Sequence, residues 1–145
     1  VTMIETGDEQ LKRGLGIMQK NYEATAARGG IPADAPAKRM GLIKGAVGLE
    51  NVKDADLIIT GEGKSDRQTL MGKVPSGILQ EARRQHIPVI LLAGAIEDAG
   101  ILNAAGFRGV FSITPSPVSL EQAMQPEFAQ ENIRRTVEQI CRIFF

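Results

Sequence analysis

The 145-residue sequence has no tryptophan, one tyrosine and five phenylalanines. That is too few aromatic faces for recognition built on stacking bases or sugars. Its single cysteine, Cys141, excludes an internal disulfide and a zinc site built on paired cysteines. A reducing compartment, the cytoplasm, is therefore the expectation. There is no net charge, because 17 Lys and Arg balance 17 Asp and Glu. Nucleic-acid binders usually carry a basic excess, since phosphate contacts dominate their affinity, so no nucleic-acid partner is expected. No apolar run approaches the ~20 residues of a membrane helix. The longest, Ile87 to Ile96, already contains Pro88 and Gly94, and the amino terminus is acidic and polar by residue 10, so no secretory leader is expected.

What is present suits a soluble globular chain. Hydrophobic residues make up 43% and charged residues 23%, which argues against disorder, collagen or a coiled coil. From residue 56 onward the patterning is clear. Leu57-Ile58-Ile59-Thr60, ending at Gly61, reads as a buried strand, followed by a polar loop from Glu62 to Gln68. Val74, Ile78, Leu79 and Ala82 predict a helix over 74–84, with Pro75 in its first turn and Arg83-Arg84 in its last. Pro88 to Ala93 is apolar throughout, as a parallel strand covered on both faces should be. A short helix over 97–105 stopped by Gly106, a third strand over 109–113 and a helical stretch from Ser119 follow. Ile133, Val137, Ile140, Cys141 and Phe144 mark one face of a terminal helix.

This order predicts an α/β fold: a three-layer βαβ, Rossmann-like arrangement, with a mostly parallel sheet and flanking helices over 55–145. Residues 1–54 read as a helical N-terminal segment and linker. Leu11, Leu15, Met18 and Tyr22 form one stripe, Met40, Ile43 and Val47 a weaker one, and the Gly- and Pro-containing stretch 29–36 a loop. No strand is evident before residue 56. The uncovered edge of a three-stranded sheet would permit a homo-oligomer.

Open parallel sheets bind ligands beyond the carboxyl ends of their strands. The connection after the first strand, Thr60 to Lys73, is longer than the usual ~2–6 residues. It is not a P-loop: the glycine required before Gly63-Lys64-Ser65 would fall at Ile58, and that before Gly72-Lys73 at Arg67. Nor is it a dinucleotide fingerprint, because the glycine due after Gly61 and Gly63 would fall at Asp66. What remains resembles a phosphoryl-transfer kit. Gly61 and Gly63 let backbone approach an anion, and Glu62 and Asp66 offer carboxylates for a proton or a divalent cation. Gly72 and Lys73 stand at a helix start that favours phosphate, and Gln68 and Thr69 supply neutral hydrogen bonds. The bland alternative is a solvated loop in which Glu62 and Asp66 pair with Lys64 and Arg67. His86 and Cys141 read as structural residues.

The run Asp54-Ala-Asp-Leu-Ile-Ile-Thr-Gly-Glu-Gly63, then Asp66, Gln68-Thr69 and Gly72-Lys73-Val-Pro75, resembles the signature of bacterial-type glycerate kinases. The likeness continues through Pro88–Gly94, Gly109–Ile113, Ser119–Ala123 and Asn132–Ile140, covering about residues 49–145. The resemblance implies transfer of the ATP γ-phosphate to D-glycerate, with Mg²⁺. It places Thr60, Gly61, Gly63, Lys64, Gln68, Thr69, Gly72 and Lys73 around substrate or nucleotide, and Asp66 at the glycerate hydroxyl. Glu62 assists, with Glu62 and Asp66 as candidate Mg²⁺ ligands. The family usually has Arg where Lys64 stands, and Lys lacks the bidentate fork. Family members are far longer, so the chain resembles the carboxy-terminal part of such a kinase, inactive without the remainder of the kinase chain. The competing expectation is a non-catalytic α/β module that binds a small phosphorylated ligand or a partner subunit.

Overall fold

The structure, a computed structural model, describes residues 1–145. The chain divides into two units, Val1–Asp54 and Ala55–Phe145. In the second unit three strands, β3 (Ile58–Ser65), β4 (Val89–Ile96) and β5 (Gly109–Ser112), form a parallel sheet in the order β3-β4-β5. Between them run α3 (Val74–Arg84) and α4 (Ala99–Ala105), and after them α5 (Leu120–Ala123) and α6 (Pro126–Phe144). Strand side chains alternate between faces, and the core follows that period. Val89 and Leu91 pack with Leu79, Ala82, Leu102 and Phe107 from the α3 and α4 side. Ile90 and Leu92 pack with Ile140 of α6. The result is three layers, with helices on both faces of an α/β sheet.

The helix ends explain themselves locally. Asp98 caps α4 by accepting from the Ile101 amide at 3.0 Å, and Ser119 caps α5 by accepting from Gln122 at 3.2 Å. Helix α3 occupies the predicted span, with Pro75 in its first turn.

Strand β3 runs further than its sequence suggests. The stretch read as the start of a polar loop, Glu62 to Ser65, pairs instead with Ala93 to Ile96 of β4. Backbone pairing carries it, and two glycines permit it: a Cβ on Gly94 would sit 2.9 Å from the Gly63 carbonyl oxygen. The terminal helix also departs from its predicted face, since Asn132 and Ile140 are the buried residues of α6 while Ile133 and Phe144 remain exposed.

The first unit is not purely helical. Strands β1 (Thr2–Glu5) and β2 (Lys44–Val47) pair in parallel, Thr2 opposite Lys44 and Glu5 opposite Val47. Between them lie α1 (Asp8–Ala27), which carries the Leu11 stripe, and the short α2 (Ala35–Met40). The weaker stripe through Met40, Ile43 and Val47 is therefore no helix beyond Met40. Gly41, Gly45 and Gly48 disfavour one, and pairing with the distant residues 2–5 supplies the alternative. Gly45 also lets α1 approach, because a Cβ there would lie 3.1 Å from Leu11.

Candidate active site

The carboxyl end of β3 leads through Asp66 into a 3-10 turn, Arg67–Leu70, and then into α3 with Lys73 as its N-cap residue. Gly72, at φ +89°, makes the left-handed step between turn and helix. Asp66 is the N-cap of the turn. Its carboxylate accepts from the Gln68 amide at 2.7 Å, and its own amide donates to the Thr69 hydroxyl at 3.0 Å. That hydroxyl in turn donates to Oε1 of Glu62 at 2.5 Å, and the Ser65 hydroxyl donates to the same oxygen at 2.9 Å. Ser65 and Thr69 are fully buried. The Lys73 ammonium stands 3.5 Å from the other oxygen, Oε2.

Magnitudes separate these partners. Hydrogen bonds to a charged group contribute about 1.5–3 kcal/mol each, whereas half-exposed ion pairs contribute about 0–1 kcal/mol. The two buried hydroxyls therefore fix Glu62, whose side chain is 14% exposed, while Lys73, at 40%, is held only loosely. A loosely held ammonium can turn to an incoming anion at small cost. The pairing of Glu62 and Asp66 with Lys64 and Arg67 is not seen. Lys64 bonds Glu97 instead, at 2.5 Å, and that hydrogen bond and charge raise its pKa.

The sequence-predicted residues thus fall into two sets. Asp66, Gln68, Thr69, Gly72 and Lys73 belong to the turn and the start of α3, to which Glu62 of β3 is tied through Thr69 and Lys73. A cavity of about 1110 Å³ opens beyond the strand ends towards α5 and α6, and Thr60, Gly61, Glu62, Gly63 and Lys64 line it while Asp66, Gln68, Thr69, Gly72 and Lys73 do not. Glu62 is common to both. A Cβ on Gly63 would meet no heavy atom within 4 Å, so its backbone borders open space. Sequence reasoning missed Asn132, which lines the same cavity. Its signal was its place two turns before Ile140, on the buried side of α6.

No group of three or more His, Cys, Asp or Glu side chains forms a metal cluster. Magnesium usually takes only one or two carboxylates and fills its octahedron with water and phosphate oxygens. The part-buried Asp66 fits that donor set. Glu62 fits it less well, because one of its oxygens already holds two hydroxyls and the other stands near the Lys73 ammonium.

An α/β sheet that brings glycine backbone, a fixed carboxylate and a loosely held ammonium to its strand ends has the chemistry to receive a small anion at that edge. The model of the glycerate kinase family matches residues 2–145, and the chain belongs to that family. It is 36% identical over 160 residues to a glycerate kinase of Bacillus cereus, covering 98% of this chain and 41% of that relative. It is 37% identical over 142 residues to a glycerate kinase of Bacillus subtilis, covering 92% and 37%. A glycerate 2-kinase of Escherichia coli is 33% identical over 142 residues, with the same coverage of 92% and 37%. The chain therefore spans about two fifths of the length of these curated relatives.

Proposed function

We propose that this chain carries part of the active site of a cytoplasmic kinase that transfers the γ-phosphoryl group of ATP to a hydroxyl of D-glycerate, giving phosphoglycerate and ADP. The observation that carries the reading is the Glu62 network: two buried hydroxyls fix a carboxylate at the end of β3, and the Lys73 ammonium stands 3.5 Å from its other oxygen. Phosphoryl transfer depends on positioning and charge stabilisation more than on covalent chemistry, and this network supplies both. Asp66 orients the glycerate hydroxyl and accepts its proton as the oxygen attacks phosphorus. Lys73 swings from Glu62 to the transferring phosphoryl oxygens or to the glycerate carboxylate. Gly61 and Gly63 admit the phosphates to the backbone. Asp66 would also be the protein ligand of Mg²⁺, which when bound would supply neutralising charge for the phosphate oxygens. The remaining part of the site comes from the region that the longer relatives possess.

The test is a coupled ADP-release assay with D-glycerate and Mg·ATP, run on this chain, on the full-length product of its gene and on Asp66→Asn in both. The full-length product should turn over and the 145-residue chain should not. Asp66→Asn should lower kcat at least ~10²-fold, as loss of a positioned base does. Asn caps a turn as well as Asp, so thermal unfolding should hardly change. Absence of glycerate-dependent ADP release in the full-length product sinks the kinase reading. Turnover that survives Asp66→Asn moves the base to another residue.

A further inference from the structure

Asn132 sits in the middle of α6 and is only 6% exposed. Its side chain makes no hydrogen bond within the chain, yet no polar side-chain atom is sealed away without a partner. Its amide therefore opens onto the cavity it lines. The cavity walls are largely apolar: Leu92 from β4, Ile113 just after β5, and Phe128 and Val137 from α6. Buried amides normally find partners. A bare one among apolar walls suits an apolar-faced ligand with a donor and an acceptor on one edge.

The same cavity reaches Gly61 and Gly63 at the end of β3. Its volume, about 1110 Å³, stands just above the ~300–1,000 Å³ typical of ligand pockets, enough for a base, a sugar and phosphates together. Resting on the kinase reading above, we propose that this cavity is the nucleobase subsite and that Asn132 reads adenine. Asn Oδ1 accepts from the N6 amino group and Nδ2 donates to N7, the bidentate pairing that an amide makes with adenine. The base lies against α6, and the phosphates extend towards Gly61 and Gly63. Hypoxanthine presents an acceptor at position 6, which faces Oδ1 with like polarity, so the site selects adenine.

The experiment titrates the ¹⁵N-labelled 145-residue chain with ADP, inosine diphosphate and pyrophosphate. ADP should shift the Asn132 side-chain NH₂ and the amides of Ala129 and Ile133, and bind about tenfold more tightly than inosine diphosphate. Pyrophosphate should move only the Gly61 and Gly63 region. Asn132→Leu, which removes a polar group with no partner in the chain, should leave the spectrum folded and erase the preference for ADP. Equal binding of the two diphosphates by the wild-type chain, or ADP shifts confined to Gly61 and Gly63, overturns the base subsite while leaving the kinase reading standing. Adenine-selective shifts at Asn132 without glycerate-dependent turnover in the full-length product keep the subsite and sink the kinase reading. ADP that binds nowhere overturns the subsite.

Discussion

The two faces of the β3-β4-β5 sheet are built for different purposes. Towards α3 and α4, Val89, Leu91, Leu102 and Ala82 are at most 1% exposed and the packing is continuous. Polar groups at that side, Ser65 and Thr69, are buried with every bond made. Towards α6 the buried cluster is smaller; Ile133 is 43% exposed, and a cavity with an unpartnered amide lies beyond the strand ends. The closed face stores the stability. The open one keeps unsatisfied binding capacity, which a ligand can use and a core cannot.

Paired substitutions can break this contrast, read from urea unfolding followed through the resonances of residues 55–145. The largest effect should come from Leu91→Ala, which empties a fully enclosed site and should cost about 2–5 kcal/mol. Ile133→Ala on the open face should cost below about 1 kcal/mol; equal losses would show the faces to be alike. Next comes Thr69→Val, which keeps the shape but removes the donor to Glu62 and the acceptor of the Asp66 amide. It should cost about 1–3 kcal/mol. Asn132→Leu should cost nothing measurable, because no bond within the chain is lost.

The smallest effect is electrostatic and lies on the outer surface of α6. Hydrogen bonds from Arg134 and then Arg135 pull the Glu131 carboxyl from 4.5 down to about 2. A carboxylate lowered by folding stabilises the fold above its unfolded value and loses that contribution as pH falls through its folded value. Thermal unfolding of Glu131→Gln should therefore lie slightly below that of the wild type at pH 7, and the gap should close between pH 4.5 and 2. The pairs are exposed, so added salt should also narrow it. A gap that persists at pH 2 would mean that Glu131 acts through packing instead.

Local chemistry made much of the second unit legible. Helix α3 starts and stops where its apolar spacing, Pro75 and Arg83-Arg84 indicate, and β4 is apolar because both its faces are covered. The position of the candidate site at the end of β3 was readable from its glycines and carboxylates. Less was readable where partners are distant. Residues 44–47 carry no strand period of their own and pair with residues 2–5 across α1 and α2. Glu62 to Ser65 look like loop because glycine has no side chain to mark a face, yet β4 accepts them as a strand.

Periodicity, caps and motif chemistry set the order of helices and strands, the family likeness and the set of polar residues around Thr60–Lys73, because each depends on neighbours within a few residues. Which carboxylate is fixed and which stays available was decided only by folding. Glu62 meets Thr69 and Lys73 across a turn, whereas Asp66 gives one carboxylate oxygen to its cap and keeps the other available. Asn132 acquires its meaning in the same way. Its spacing from Ile140 puts it on the same side of α6, but only the packing of that helix against the sheet buries it while leaving its amide facing open space.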